Sequence, residues 1–446
     1  MLICVLFKGV KMKSRSFLTA ICFFFLTASI SFGYTATFMP RISVDEQYTD
    51  NVNLTSSNDL KEDDFITTVT PGFTAELAGK KGKATASYDA AYAFYNTFND
   101  YNHWRQAARL NGEYGFTKFT QVNVLDRFIY TEDPEIQNNV AEIRTEEPTV
   151  PVDTTVRKTR NIYYANFASV GLDHQFGKYQ SFRLGYDNYI LNNDDPRYQD
   201  KERHDASAGL TYWFGPKWGF DVSGRYTRGI FQYTSDVKEY SGSVGLLKKF
   251  GKHFTGYIRY TQFVVNYDDT PGKDTTYSPT IGFRYDIEKD ISLFADAGFF
   301  YTDSEFRENT SGPTADLRLI KRFEHGKLNF ALLGGYTYNL YGAEDNGYGT
   351  YYEASVSYNR QLGKHVSGNI FGSYRDTKYK DLRDREDKNP IVGIGVSWQA
   401  LQWMNLGLNY RYRSVDSTVD VDSYDENSVF VRVTLTPKVP YHTGRY

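Results

Sequence analysis

Residues 250–263 read FGKHFTGYIRYTQF, a short turn followed by a strict alternation of apolar and polar side chains. Ile258 and Tyr260 fall on one side of this segment and Arg259 falls on the other. An alternation with a period of two predicts a β-strand with two unlike faces. Because the same pattern returns after LGKH at 362–365, the sequence raises the question of what surface the apolar faces contact.

Turns of this kind recur along the chain at intervals of roughly 37 residues, apart from one longer gap. This period accommodates two strands of about 10–12 residues, one short turn and one longer loop, which together make a β-hairpin. The segments midway between the short turns, such as NNDDPRYQDKER and DSTVDVDSYDEN, are hydrophilic and rich in loop-forming residues. One rim of the sheet is therefore predicted to carry short turns and the other rim long loops.

The first 33 residues have the composition of an export signal. Lys11, Lys13 and Arg15 precede the apolar run FLTAICFFFLTASI, and small residues follow at Ser31 and Gly33. We expect a signal peptide over residues 1–33, cleaved after Gly33, and a single domain over residues 34–446. The only two cysteines, at positions 4 and 22, lie in this leader, so the mature chain can form no disulfide and no thiolate metal site.

The charge balance argues against a nucleic-acid partner. The whole chain has a formal net charge of -3, and removal of the leader with its four basic residues leaves the mature chain near -7. Nucleic-acid binding needs a basic face, which this balance does not favour.

A closed barrel is the one membrane-spanning structure that the pattern allows. After the leader there is no run of about 18 apolar residues, so no spanning helix is predicted. Hydrocarbon cannot satisfy the open edge of a sheet, which means that a spanning sheet must close on itself. We predict an all-β fold, a transmembrane outer-membrane antiparallel up-and-down β-barrel of about 20 strands, with 18 possible if residues 39–48 do not join the wall, and without a plug domain.

This fold answers the opening question, because the apolar faces would contact lipid and the polar faces a wet lumen. Aromatic residues near both strand ends are typical of interfacial belts, although an inward ring such as Tyr257 or Trp213 could instead stack on a sugar. The polar faces carry interspersed charges of both signs. This arrangement favours a lumen with little preference between cations and anions over one that selects ions of a single sign. The residues predicted to line the lumen are Arg183, Asp187, Asp221, Arg225, Tyr257, Arg259, Arg284, Asp316, Arg318, Arg375, Arg411 and Arg432.

The sequence contains no catalytic or cofactor-binding motif that stands out. Histidines are scattered, and metalloprotease, nucleophile-elbow and P-loop patterns do not occur. The Asp-rich DSTVDVDSYDEN lacks the spacing and the glycine of an EF-hand loop. We therefore expect a protein that is not an enzyme and that has no cofactor and no metal site.

Residues 38–77, FMPRISVDEQYTDNVNLTSSNDLKEDDFITTVTPGFTAEL, resemble the start of the mature chain in the second family of putative β-barrel porins. The matching features are ISV in a first strand, YTDN at its end, a Ser- and Asn-rich loop, and DFITTVTPGF opening a second strand. The resemblance implies an outer-membrane porin serving exopolysaccharide export, with outer-membrane lipid, a polysaccharide or other hydrophilic solute and periplasmic export proteins as partners. It implies no catalytic residues.

Two functions follow from this interpretation. The first is an outer-membrane channel for hydrophilic solutes, and the second is a surface anchor that binds or adheres through long extracellular loops. The longest of these loops is expected at residues 131–158, which contain Pro134, Pro148 and Pro151 and are rich in acidic residues. A barrel of this size encloses more space than side chains can fill. This insertion was therefore the candidate for an obstruction of the lumen.

Overall fold

The computed structural model describes residues 34–133, 160–269, 272–287, 290–341, 346–380 and 385–443. Nearly all of these residues belong to strands, and the helical segments are three single 3-10 turns at Asn58–Leu60, Asn99–Tyr101 and Asp420–Asp422. In the described part of the chain, no helix is both long enough and apolar enough to cross a membrane.

The strands, in chain order, are β1 Thr35–Thr49, β2 Asp64–Ala78, β3 Gly82–Tyr95, β4 His103–Thr117, β5 Thr120–Thr131, β6 Tyr163–Gln175, β7 Ser181–Asn193, β8 Lys201–Trp213, β9 Trp218–Phe231, β10 Val237–Lys249, β11 Phe254–Tyr267, β12 Lys273–Ile287, β13 Ile291–Ser304, β14 Thr310–Phe323, β15 Gly326–Asn339, β16 Gly347–Gln361, β17 Val366–Tyr379, β18 Glu386–Leu401, β19 Met404–Ser417, β20 Tyr424–Leu435 and β21 Tyr441–Thr443.

The sheet closes into a barrel because β1 pairs on both of its sides. Each strand from β1 to β19 pairs antiparallel with the next one in sequence, and β1 also pairs with β20 from Ile42 opposite Leu435 to Thr49 opposite Ser428. The wall therefore has twenty strands, which confirms the predicted fold, and β1 includes the residues 39–48 whose membership decided between 18 and 20 strands. No plug occupies the barrel within the described residues.

The two ends of the barrel differ as the sequence predicted. The connections that follow the even-numbered strands are turns of a few residues, and we call this rim the short-turn end. The connections that follow the odd-numbered strands have five residues or more, and most are longer than those at the other rim, so we call this rim the long-loop end. In outer-membrane barrels the short turns face the periplasm.

The outer face is apolar at mid-strand and aromatic toward both rims. Its exposed aliphatic side chains include Ile42, Val44, Leu184, Leu210, Val222, Val244, Leu246, Ile258, Ile281, Leu332, Val356, Ile370, Val392, Ile394, Val396, Leu408 and Val431. Exposed rings lie toward the short-turn end at Phe116, Phe119, Phe176, Phe214, Trp218, Phe250, Phe323, Trp398 and Trp403, and toward the long-loop end at Phe65, Phe94, Trp104, Tyr226, Tyr240, Tyr260, Tyr301, Tyr352, Tyr374 and Tyr410. Amphipathic rings rest at the headgroup level of a bilayer, so these positions form two interfacial belts.

Asp126 departs from this outer-face pattern. The register places it near the middle of β5, opposite Leu110 on β4 and Ala168 on β6. Its side chain is buried and accepts a hydrogen bond of 3.2 Å from Nδ2 of Asn166. Burial under its neighbours and this hydrogen bond keep most of the carboxyl out of hydrocarbon, where an unpaired charge would be costly.

The C-terminal segment returns to the wall after Pro437 and Pro440. The β20 strand ends at Leu435, and β21 then pairs with β1 from Ala36 opposite Thr443 to Phe38 opposite Tyr441. β21 therefore pairs with the first residues of β1, on the same edge of β1 that pairs with β20. The last residue, Tyr446, lies outside the described residues.

Candidate functional site

The register divides every strand into an outer and an inner set of residues. On β11, for example, Ile258 and Tyr260 are exposed on the outer face, whereas Tyr257 and Thr261 are buried on the inner face. Directly opposed residues on neighbouring strands share a face, so the pairing extends this division into outer and inner residues around the whole barrel. It places every residue predicted to line the lumen on the inner face.

In the short-turn half, the inner face is polar and much of it is solvent-accessible. Its charges form pairs of opposite sign, among them Arg259 with Asp221 at 3.4 Å and Arg318 with Asp316 at 2.8 Å. Other predicted residues pair with groups that the sequence analysis did not select, namely Arg183 with Asp173, Arg284 with Asp286, Arg375 with Glu353, and Arg432 with Asp45. Arg411 lies over the ring of Phe430. The interspersed signs leave no ring of a single charge.

The ring of Tyr257 is not an open stacking platform. Its hydroxyl donates to Oδ2 of Asp296 at 2.7 Å, the guanidinium of Arg259 lies 4.7 Å from the ring centre, and the ring of Phe294 stacks on its flank. Tyr257, Asp316 and Arg375 are all buried. These side chains therefore contribute to wall packing more than to a surface that a solute could touch.

In the long-loop half, the end of β15 leaves the wall and turns inward. Pairing between β14 and β15 stops at Ala315 opposite Gly334, whereas pairing between β15 and β16 continues to Asn339 opposite Gly347. Gly335, at the point of departure, has a φ of +152°, a conformation that L side chains rarely adopt. We call the described residues Gly335–Tyr341 and Asn346–Gly349 the inner hairpin.

The inner hairpin packs on the inner face of the opposing wall through aromatic side chains. Tyr338 lies 5.2 Å from Phe263 of β11 between ring centres, and Tyr341 stacks at 5.5 Å on Phe231 of β9. These rings belong to one buried apolar cluster, which comprises Ile129, Tyr163, Ala165, Phe167, Tyr189, Leu191, Phe231, Val237, Phe263, Val265, Phe300, Tyr338, Leu340, Tyr341 and Tyr348. The interior of the barrel in this half is thus a packed core and not an open surface.

Hydrogen bonds anchor the tip of the hairpin to β8 and β10. Nζ of Lys201 donates to the carbonyl oxygen of Leu340 at 3.0 Å, and the hydroxyl of Tyr341 donates to Oε1 of Glu239 at 2.7 Å. Burial, reinforced by the Glu239 carboxylate, raises the pKa of Tyr341 well above its ordinary value. The hydroxyl therefore stays protonated and remains a donor at any physiological pH.

A second anchor holds the far side of the hairpin. The hydroxyl of Tyr348 lies 2.9 Å from that of Thr302 on β13, and Nδ2 of Asn339 donates to the hydroxyl of Tyr379 on β17 at 2.8 Å. Buried polar groups with satisfied partners fix one arrangement of a packed region. The hairpin is therefore held to β13 and β17, near its own strands, as well as to β8 and β10.

The ends of the long insertion also lie against the inner face. Arg105 on β4 forms an ion pair of 2.5 Å with the buried Glu132, and Arg160 donates to the hydroxyl of Tyr95 at 3.1 Å and to the carbonyl of Val52 at 2.7 Å. Burial alone would raise the pKa of Glu132, but the Arg105 guanidinium offsets this and lowers it below the ordinary value. The predicted loop 131–158 begins inside β5 at Thr131, and its residues from 134 onward lie outside the described residues.

Sequence reasoning missed the inner hairpin because it took LYGAEDNG as one more solvated loop. The signal available was the preceding GGYTYN, in which paired glycines are followed by closely spaced tyrosines. In the described residues, no group of His, Cys, Asp or Glu side chains is arranged to hold a metal ion.

A closed antiparallel barrel with an aliphatic outer band, two aromatic belts and a polar inner face defines an integral outer-membrane protein of the porin class. The family model described as "Putative beta-barrel porin 2" matches residues 33–162 and 342–436, just over half of the chain. The chain belongs to this family and is located in the outer membrane.

Several solved structures align with most of the chain at low sequence identity. A BenF-like porin from Pseudomonas fluorescens Pf-5 is 9% identical with a TM-score of 0.42, over 90% of this chain and 99% of the other. OccAB4 from Acinetobacter baumannii is 12% identical with a TM-score of 0.40, over 90% and 98%. The siderophore receptor PirA from Pseudomonas aeruginosa is 9% identical with a TM-score of 0.46, over 89% and 80%. No curated protein matches the chain.

Proposed function

We propose that the protein is a passive channel for hydrophilic solutes, with the inner hairpin as its narrowing element and an exported polysaccharide as its cargo. The observation that carries this proposal is the contrast between the two halves of the inner face. The short-turn half offers accessible paired charges, whereas the long-loop half is filled by the hairpin and the cluster around it. Barrels of 16 to 18 strands already hold an aqueous channel, so a folded-in element must limit passage in a wall of twenty.

The predicted inner-face residues have a defined role in this proposal. Arg183, Arg284 and Arg432 keep side-chain exposures of 60% or more and present guanidinium groups to water. Each is paired with a carboxylate, so the wall would attract hydrated polar solutes without strong preference for one sign of charge. We propose that these residues line the water-filled part of the pathway.

Polysaccharide as cargo is supported by the family resemblance, which associates such barrels with exopolysaccharide export. In that setting periplasmic export proteins would deliver the polymer to the short-turn end.

Displacement of the inner hairpin tests the proposal. A Cβ atom at Gly229 of β9 would lie 2.7 Å from the Tyr341 hydroxyl, so Gly229→Leu must push the hairpin tip away. In planar bilayers we expect wild-type protein to conduct ions with little selectivity, and Gly229→Leu to conduct several times more. Gly242→Leu is the matched control, because nothing lies within 4 Å of a Cβ at that position.

Two outcomes would contradict the proposal. If neither the wild type nor Gly229→Leu conducts, the barrel is not a channel, and the alternative of a surface anchor acting through its long loops gains. If Gly229→Leu and Gly242→Leu change conductance equally, the hairpin does not limit passage.

Swelling of proteoliposomes in neutral oligosaccharides of increasing length measures the largest solute that passes through the wild-type channel.

A further inference from the structure

Two consecutive lysines at the short-turn end of β10 each lie on aromatic rings, but on opposite faces of the wall. Nζ of Lys248 lies 4.6 Å from the ring centre of Trp218 and 5.0 Å from that of Phe250, on the outer face. Nζ of Lys249 lies 3.7 Å from the ring centre of Tyr179 and 3.9 Å from that of Trp213. The register puts both Lys249 and Trp213 on the inner face, so this second cluster borders the mouth of the barrel.

The outer cluster is explained by the membrane, whereas the inner one is not. Trp218 and Phe250 belong to the aromatic belt, and a lysine beside them reaches the headgroups. Trp213, Tyr179 and Lys249 instead face the aqueous interior, where no lipid is present to account for a cluster of two rings and a lysine. Tyr179 is 49% exposed in the turn between β6 and β7.

The inner cluster is built into the wall. The Trp213 ring lies over Gly219 of β9, where an added Cβ would come within 2.7 Å of it. The amide of Lys249 donates to the carbonyl oxygen of Lys217 at 2.7 Å, and Nε2 of Gln180 donates to the carbonyl of Trp213 at 3.0 Å. These contacts fix the backbone that carries both rings and the ammonium group.

The surroundings of this cluster are positively charged. Exposed lysines occupy each of the three turns at this point of the rim, namely Lys178, Lys217 and Lys252, and those turns contain no carboxylate. The nearest inner-face acids are already paired, Asp173 with Arg183 at 2.8 Å and Asp221 with Arg259 at 3.4 Å. Among the described residues, no carboxylate pairs with Lys249.

We infer that Tyr179, Trp213 and Lys249 form a binding site for an acidic sugar unit at the short-turn mouth. The exposed part of the Tyr179 ring offers an apolar surface to the C–H face of a pyranose. The Trp213 ring lies between Gly219 and the Lys249 ammonium group and holds that group in position. The ammonium group then donates charge-assisted hydrogen bonds to a uronate carboxylate. This inference rests on the proposed function and deepens it, because it specifies an acidic polysaccharide as cargo. The excess of lysines at the rim would raise the local concentration of such a polymer.

The test measures binding before transport, so that it does not depend on conductance. Wild-type protein in detergent is titrated with hexameric oligogalacturonate and with maltohexaose, and tryptophan fluorescence and titration calorimetry report binding. We expect the acidic hexamer to bind at least tenfold more tightly than the neutral one. Lys249→Gln and Trp213→Ala should each weaken its binding about tenfold, while Lys249→Arg should retain most of it.

Lys248→Gln and Trp218→Ala are the matched controls, because they remove the same chemistry from the outer face of β10 and of β9, the strand next to β8. They should leave binding of the acidic hexamer unchanged, and heat-modifiable migration should show that every variant is folded. Equal losses at Lys248 and Lys249, or equal binding of the neutral hexamer, would overturn the inference. Binding that appears only after anionic lipid is removed would assign the cluster to lipid headgroups and overturn it as well. Failure of the channel proposal would show separately, as absent conductance with sugar binding intact.

Discussion

Ile258 and Thr255 lie on the same strand but meet different surroundings. The side chain of Ile258 is 62% exposed on the outer face, among aliphatic residues that contact lipid. Thr255 lies on the inner face, opposite Arg284 of β12. The face of the wall on which a residue lies therefore constrains it more than its size does, because the same substitution meets hydrocarbon on the outer face and water on the inner face.

Arginine at these two positions should have unequal effects. An arginine facing lipid at mid-strand costs about 2–4 kcal/mol, and one facing the interior costs little. Ile258→Arg is expected to lower the amount of folded barrel in outer membranes, whereas Thr255→Arg should assemble normally. Immunoblots of unheated outer-membrane fractions measure folded and unfolded forms directly. Equal yields of the two variants would mean that the assignment of faces is wrong.

At the scale of elements, alternation predicted the wall but not the inner hairpin. A period of two requires only that each strand separate two unlike environments, and it is satisfied from β1 to β20. The hairpin escapes such reasoning because its side chains are buried against the inner faces of β8 to β13 and of β17, so they do not separate two unlike environments. The partners of the inner-face charges were not predictable either, since pairing depends on register and on the stagger between strands.

Gly335 is the position at which the hairpin can be tested as an element. Its φ of +152° suits glycine alone, so Gly335→Val should impose about 1–3 kcal/mol of strain unless the backbone changes. We expect the strand to rejoin β14, which withdraws the hairpin and increases conductance while the barrel stays folded. Single-channel recording and gel mobility report the two effects. Gly242→Val is the control, and unchanged conductance in Gly335→Val would show that the hairpin keeps its place without the glycine.

For the whole molecule, the sequence was sufficient to predict closure of the barrel and its outer-membrane location. These follow from general constraints on backbone hydrogen bonds in lipid and do not depend on individual contacts. The interior was harder to predict, because a lumen of this width can be left open or filled, and the choice is made by particular residues such as Tyr338 and Tyr341.

The mature chain should begin at Tyr34 and migrate as a compact species. We expect N-terminal sequencing of the protein from outer membranes to read YTATF, because β1 starts at Thr35 and the preceding residues match a signal peptide. Without heating, the protein should run faster on gels than after boiling. If sequencing instead finds residues from before Tyr34, the leader is retained and acts as a membrane anchor. If the boiled and unboiled samples migrate equally, that result would contradict a closed barrel.

The seam between β1 and β20 has a consequence for the order of folding. Every other pairing in the wall joins strands that follow one another, whereas this one joins residues 377 or more positions apart. Contacts of such separation form slowly, because the chain between them must first be ordered. Side chains specify the seam closely, through Thr49 to Glu426 at 2.6 Å and Asn427 to Asp50 at 2.7 Å. Seam formation should therefore be the rate-limiting and final step of folding.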